Sequence, residues 1–174
     1  MTTKYKVFPA PLKIRYKGYF DFEGVYRLVN NWLVKYLFRY HEQRYKDKTD
    51  TPLGNEIEVD VWGEKEVTEY YKYKIIISYH LWESREVPVV INGEKVKRMR
   101  GRMHITLQGE VITDWQGRYK GSKVRSLMEE FLNKTVLKKE REMKHVDYVD
   151  KQLHKLEGEI KKFLKMETKA SGVG

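Results

Sequence analysis

The chain has 174 residues, 34% of them charged, a formal net charge of +10 and no cysteine. That length suits one ordinary domain or one domain with an appendage, which buries about 70% of its unfolded surface without a metal or disulfide staple. Lack of cysteine excludes a disulfide framework, a thiol nucleophile and a thiolate metal site, and the positive balance favours polyanions such as RNA, DNA or an acidic protein face.

The basic excess begins at once: residues 1–20 hold five Lys or Arg and no acid. Within them KYKVFPAPLKIRYK predicts a short strand, a break at Pro9 and Pro11, and a second strand. In that second strand Leu12, Ile14 and Tyr16 face inward, while Lys13, Arg15 and Lys17 face outward. The opening lacks the apolar run of a signal peptide, and no stretch of roughly 18 apolar residues exists anywhere, so a soluble, cytoplasmic protein with no membrane insertion is expected. The Lys- and Glu-rich, Asn- and Gln-poor composition is of the kind found in proteins from hot environments.

Asp21 is a suitable N-cap, and Glu23 fits the positive end of the helix it would start. Phe22, Val25, Tyr26, Val29, Leu33, Tyr36 and Leu37 recur at threes and fours, predicting a helix of about four to five turns. Trp32 and Phe38 widen the stripe it lays on the sheet. Arg39 to Lys48 is the next predicted strand, in which Glu42 is one conceivable buried acid for general acid–base work, an ion pair with an arginine being the reading preferred over it. The run DKTDTPLGN then reads as a loop.

In EIEVDVWGEKEV, Ile57, Val59 and Val61 point inward and Glu56, Glu58 and Asp60 outward, with Gly63 a candidate bulge. A turn near Val67 to Glu69 leads into YYKYKIIISYHLW, the expected central strand. There Tyr71, Tyr73, Ile75, Ile77, Tyr79 and Leu81 form an apolar row, and Lys72, Lys74, Ile76, Ser78, His80 and Trp82 face the other way. Lys72 and Lys74 would stand opposite the acids of the preceding strand.

After Pro88, Asn92-Gly93 signals a tight hairpin. Its second arm places Met103, Ile105 and Leu107 on one side and Arg102, His104 and Thr106 on the other, with Gly101 and Gly109 as candidate bulges or bends. Lys95, Lys97, Arg98, Arg100 and Arg102 are the densest basic cluster in the chain. No aromatic residue interrupts it, which suits phosphate contact rather than base stacking; a solubilising strand edge is the competing explanation.

From Ser122 to Met166 the pattern is helical, and a straight helix of that length would span about 67 Å, so it must bend, break or project. Val124, Leu127, Met128, Phe131 and Leu132 make one stripe suited to the sheet. Val146, Val149, Leu153, Leu156, Ile160 and Phe163 make a heptad seam, a candidate oligomer interface. The expected organisation is a core over 1–137, a helical extension over 138–166, coiled-coil or packed back on the core, and a disordered tail over 167–174.

Strand, helix, several antiparallel strands and a long final helix define an α+β fold with a curved antiparallel sheet of about five to seven strands. The order resembles the helix-grip layout, in which such a sheet wraps a C-terminal helix packed on one face; the likeness concerns fold alone. The five histidines show no persuasive metal spacing, although His80 and His104 could face each other on neighbouring strands. No phosphate-cradling glycine loop or nucleophile elbow is present, so the sequence implies no cofactor, no metal and no catalytic residue.

Three functions fit these features. The first is a non-enzymatic module binding an anionic partner, RNA or a ribonucleoprotein, through Lys13, Arg15, Lys17, Lys95, Lys97, Arg98, Arg100 and Arg102. The second is a self-associating structural protein that uses charge-complementary strands and the helical seam. The third is a carrier of an apolar ligand lined by Tyr71, Tyr73, Tyr79, Trp62 and Trp115.

Overall fold

A computed structural model describes residues 2–48, 54–91, 93–117 and 141–165, together with Leu127 and Phe131. In chain order the elements are β1 (Thr3–Lys6), β2 (Leu12–Phe20), α1 (Phe22–Lys35), β3 (Arg39–Lys48), β4 (Asn55–Glu66), β5 (Tyr71–Ile91), β6 (Glu94–Thr113), a π-helical turn over Arg141–Val146 and α2 (Asp147–Phe163). The expected α+β class holds. The sheet is antiparallel, with the order β1-β6-β5-β4-β3 and β2 paired to β6 on the same side as β1.

Alternation in β5 fixes the two faces of the sheet. Ile75, Ile77 and Leu81 are fully buried, as are Met103, Ile105 and Leu107 on β6 beside them, while Lys72, Lys74, Ile76, Ser78, His80 and Trp82 are half-buried on the opposite side. Both helices cover the inner face. Asp21 accepts a hydrogen bond from the Gly24 amide at 2.9 Å and so caps α1 as anticipated. Val25, Val29 and Leu33 are buried, and Phe22 packs edge-on to Tyr79 with ring centroids 5.6 Å apart.

Three glycines read as bulges turn out to serve close approach. A Cβ on Gly63 would lie 2.9 Å from Leu33 of α1, and one on Gly109 would lie 2.5 Å from Val149 and 2.8 Å from Leu153 of α2. Gly101 faces the backbone of Trp82 and Ser84, where β5 rather than β6 carries the bulge. Glu83, at φ 54°, sits inside that irregularity.

The helical stripe also ends sooner than its periodicity suggests. Leu37 lies past the end of α1 at φ 63° and is 76% exposed. The Leu37 amide donates to Val34 at 3.0 Å and the Phe38 amide to Leu33 at 2.8 Å, the two bonds of a Schellman stop. Phe38 then returns to the core beside Leu33.

Val149, Leu153, Leu156 and Ile160 of the heptad seam are fully buried against the chain's own sheet, Val146 is packed against the core, and Phe163 reaches α1 at Gly24. Four of the seam's six members are thus buried within one chain, each contributing about 1.5–3 kcal/mol, while Phe163 stays 40% exposed. Tyr73 and His145 secure the start of this segment through a 2.8 Å hydrogen bond, and burial pushes the Tyr73 phenol up to about 12.

Of the earlier stripe, Leu127 and Phe131 are helical but 65% and 64% exposed, because α1 and α2 already occupy the inner face. Val124, Met128, Leu132 and the tail over 167–174 lie outside the described residues. Among those described, no helix is long and apolar enough to cross a membrane.

Candidate nucleic-acid interface

No described helix or strand packs on the outer face of the sheet, and the strand register arranges its side chains in three rows. Lys13 of β2 pairs with Thr106 of β6 and, beyond it, Ser78 of β5. Arg15 pairs with His104 and then His80, which in turn faces Glu58 of β4. Lys17 pairs with Arg102 and then Trp82. Two basic segments some 85 residues apart in sequence thus become neighbours, since cross-strand side chains sit about 5 Å apart.

Along β2 the cations recur about every 6.8 Å, as alternate residues of a strand must. Among the described residues Lys13, Arg15 and Lys17 form no ion pair, so their charge stays available to a partner. Arg102 meets Glu83 at 2.8 Å in a solvent-exposed pair, which contributes little stability and is easily exchanged. Arg100 lies over the Tyr19 ring at 5.7 Å.

The remaining members of the basic cluster are dispersed. Arg98 is turned to Asp21 at 3.5 Å. Lys95 and Lys97 lie on the part of the β5–β6 hairpin that outruns its neighbours: β2 ends opposite Met99 and β4 begins opposite Ser84. From Val87 and Arg98 to Ile91 and Glu94 the described hairpin is a two-stranded ribbon. Asn92 lies outside the described residues, but the Ile91–Glu94 pairing and Gly93 at φ 85° agree with the expected tight turn.

Three aromatic or imidazole rings interleave with the cations, a feature absent from the linear cluster because they come from a different strand or an alternate position. His80 stacks on Trp82 with centroids 3.6 Å apart, and Trp82 meets His104 edge-on at 4.6 Å. The anticipated His80–His104 pairing is present. Burial, then Arg15, His80, Arg102 and Lys13 in decreasing order, hold His104 below the ordinary imidazole range. His80 Nε2 donates to Glu56 at 2.7 Å, since a carboxylate can only accept.

The acids of β4 are largely occupied by their neighbours. Glu58 pairs with Arg44, and Glu64 with Lys72 at 2.9 Å, whereas Lys74 lies over the Trp62 ring at 4.2 Å instead of meeting an acid. Glu56, Glu58 and His80 bring ligand-type atoms within 4.8 Å of one another. Three such groups are one short of a closed structural zinc site, and hydrogen bonding to His80 and Arg44 already accounts for both carboxylates. Glu42 is exposed and accepts from the Tyr26 hydroxyl, so it is not a buried acid, and among the described residues it meets no arginine.

The five aromatics proposed to line one apolar cavity do not converge. Tyr71, Tyr73 and Tyr79 are buried on the inner face, while Trp62 stacks on His41 outside at 4.2 Å and Trp115 sits beside Lys72 at 4.8 Å. The same alternation that buries Val59 and Val61 sends Trp62 outward. Compared with known proteins, the chain matches no family model and no curated protein.

Proposed function

We propose that the protein is a non-enzymatic binding module for RNA, which lies across the outer face with its phosphates along β2 and the adjoining part of β6. One observation carries this reading: Lys13, Arg15 and Lys17, unpaired among the described residues, stand in register with Thr106, His104 and Arg102. A regular line of unneutralised cations is what a flexible polyanion can follow, releasing its condensed counterions as it binds. Lys95 and Lys97 on the ribbon extend the positive field without belonging to that line.

The test is fluorescence anisotropy of a labelled single-stranded RNA across a salt series. Wild-type affinity falls linearly with salt on logarithmic axes, and the Lys13→Ala, Arg15→Ala, Lys17→Ala triple variant loses about two units of that slope, roughly 0.7 per phosphate contact. Absence of binding at low salt, or an unchanged slope in the triple variant, overturns the proposal.

A further inference from the structure

Beside the line of cations lies a pocket of about 260 Å³. Ser78 and Thr106 supply it with hydroxyls, His80, Trp82 and His104 with rings, and Lys13 and Arg15 with positive charge. The volume falls just below the roughly 300–1,000 Å³ typical of sites for drug-sized molecules, which suits one nucleoside-sized unit. We propose that this pocket takes a single unpaired nucleobase, with the attached phosphate on Lys13 or Arg15, so that the surface distinguishes single-stranded RNA from polyanions that carry no bases. This inference rests on the RNA-binding reading and names the chemical unit that reading leaves open.

Each component suits a base better than it suits a bare phosphate. Trp82 lines the pocket with an indole, a flat surface for stacking that tolerates any base because each presents a π-face. Its position is set by packing: His80 is stacked on it and itself tied to Glu56 at 2.7 Å. Ser78 and Thr106, opposite each other in the ladder, can both donate and accept. His104, edge-on to Trp82 at 4.6 Å, adds a second ring and a polar ring nitrogen beside these hydroxyls. A paired base inside a duplex has neither its faces nor its pairing edge available, so the pocket selects unpaired strands.

The experiment compares binding of single-stranded RNA and of inorganic polyphosphate to the full chain and to two variants. Trp82→Ala removes the stacking surface, and Ser78→Leu fills the pocket while keeping the indole. Each is expected to weaken RNA binding about tenfold or more while leaving polyphosphate affinity and the salt slope of RNA binding unchanged. Trp82→Phe is expected to restore most of the loss.

If both variants bind RNA as tightly as wild type, or if RNA and polyphosphate affinities fall together, the base pocket is wrong and the surface reads charge alone. Wild-type protein that prefers polyphosphate to RNA at equal charge also overturns it. Failure of wild type to bind either polyanion would instead remove the RNA-binding reading, and the pocket with it.

Discussion

Arg15 and His104 stand directly opposite each other on β2 and β6, a guanidinium facing an imidazole on the open side of the sheet. His80 faces His104 from β5, with Lys13 and Arg102 nearby, so a proton on His104 meets fixed positive charge from β2 and β6. Its folded-state pKa is depressed, chiefly by burial and then by Arg15. The unfolded chain therefore holds the proton more tightly, and stability present above the unfolded value near 6.5 is lost as pH falls through the folded value. Melting curves between pH 7 and pH 5 should show a smaller acid-induced drop for His104→Gln than for wild type.

Bound phosphate reverses part of that penalty. With RNA along β2, anionic oxygens offset the repulsion from Arg15 and Lys13, so binding favours the protonated imidazole. RNA affinity should then rise as pH falls below about 6.5, by less in His104→Gln than in wild type. Anisotropy titrations at pH 7.5 and pH 5.5 at fixed ionic strength check this, and equal pH responses of the two proteins would remove His104 from the interface.

The separation of the basic cluster gives a second contrast. Lys13 and Arg15 line both the cation row and the pocket, whereas Lys95 and Lys97 lie on the ribbon beyond the last β2 rung. Lys13→Ala with Arg15→Ala should lower RNA affinity about tenfold or more near 0.1 M salt. Lys95→Ala with Lys97→Ala should lower it only a few-fold, through the general field. Equal losses would place the ribbon in direct contact.

Much of this architecture was legible because alternation and capping are local. The apolar row of β5, the outward cations of β2 and the Asp21 cap each follow from a few consecutive residues. The adjacency of Lys17 and Arg102 was not, since it depends on β2 closing against a strand formed much later in the chain. Nor does a linear basic cluster reveal that Trp82 stands in the next strand of the same row. A glycine in a strand signals missing bulk, but not whether a bulge or a helix side chain claims the space; at Gly63 and Gly109 the answer came from α1 and α2.

Leu37 offers a gain in stability rather than a loss. It occupies the left-handed position of the stop after α1, where a Cβ is unfavourable by roughly 1–2 kcal/mol. Its side chain is mostly exposed, so little packing is forfeited by removing it. After the greater chain entropy of glycine is counted, Leu37→Gly should stabilise by about 0.5–1 kcal/mol, a rise in melting temperature of roughly 1–4 °C. A lower melting temperature would mean that contacts of Leu37 outweigh its backbone strain.

Gly109 tests whether α2 is integral to the domain or an appendage. A methyl group there would lie 2.5 Å from Val149 Cγ1 and 2.8 Å from Leu153 Cδ1, closer than van der Waals contact permits. Its third neighbour, Val7, comes from the segment between β1 and β2, so the methyl cannot be relieved by moving one side chain alone. Gly109→Ala must lift α2 or bend β6, at a cost of about 1–3 kcal/mol, roughly 2–12 °C in melting temperature. Leu153→Ala, at a fully buried position, should cost about 2–5 kcal/mol through the cavity it leaves. Both losses should appear in a single cooperative transition that is independent of protein concentration, because the seam is buried within one chain. A destabilisation relieved by raising protein concentration would instead assign the seam to an interface between copies.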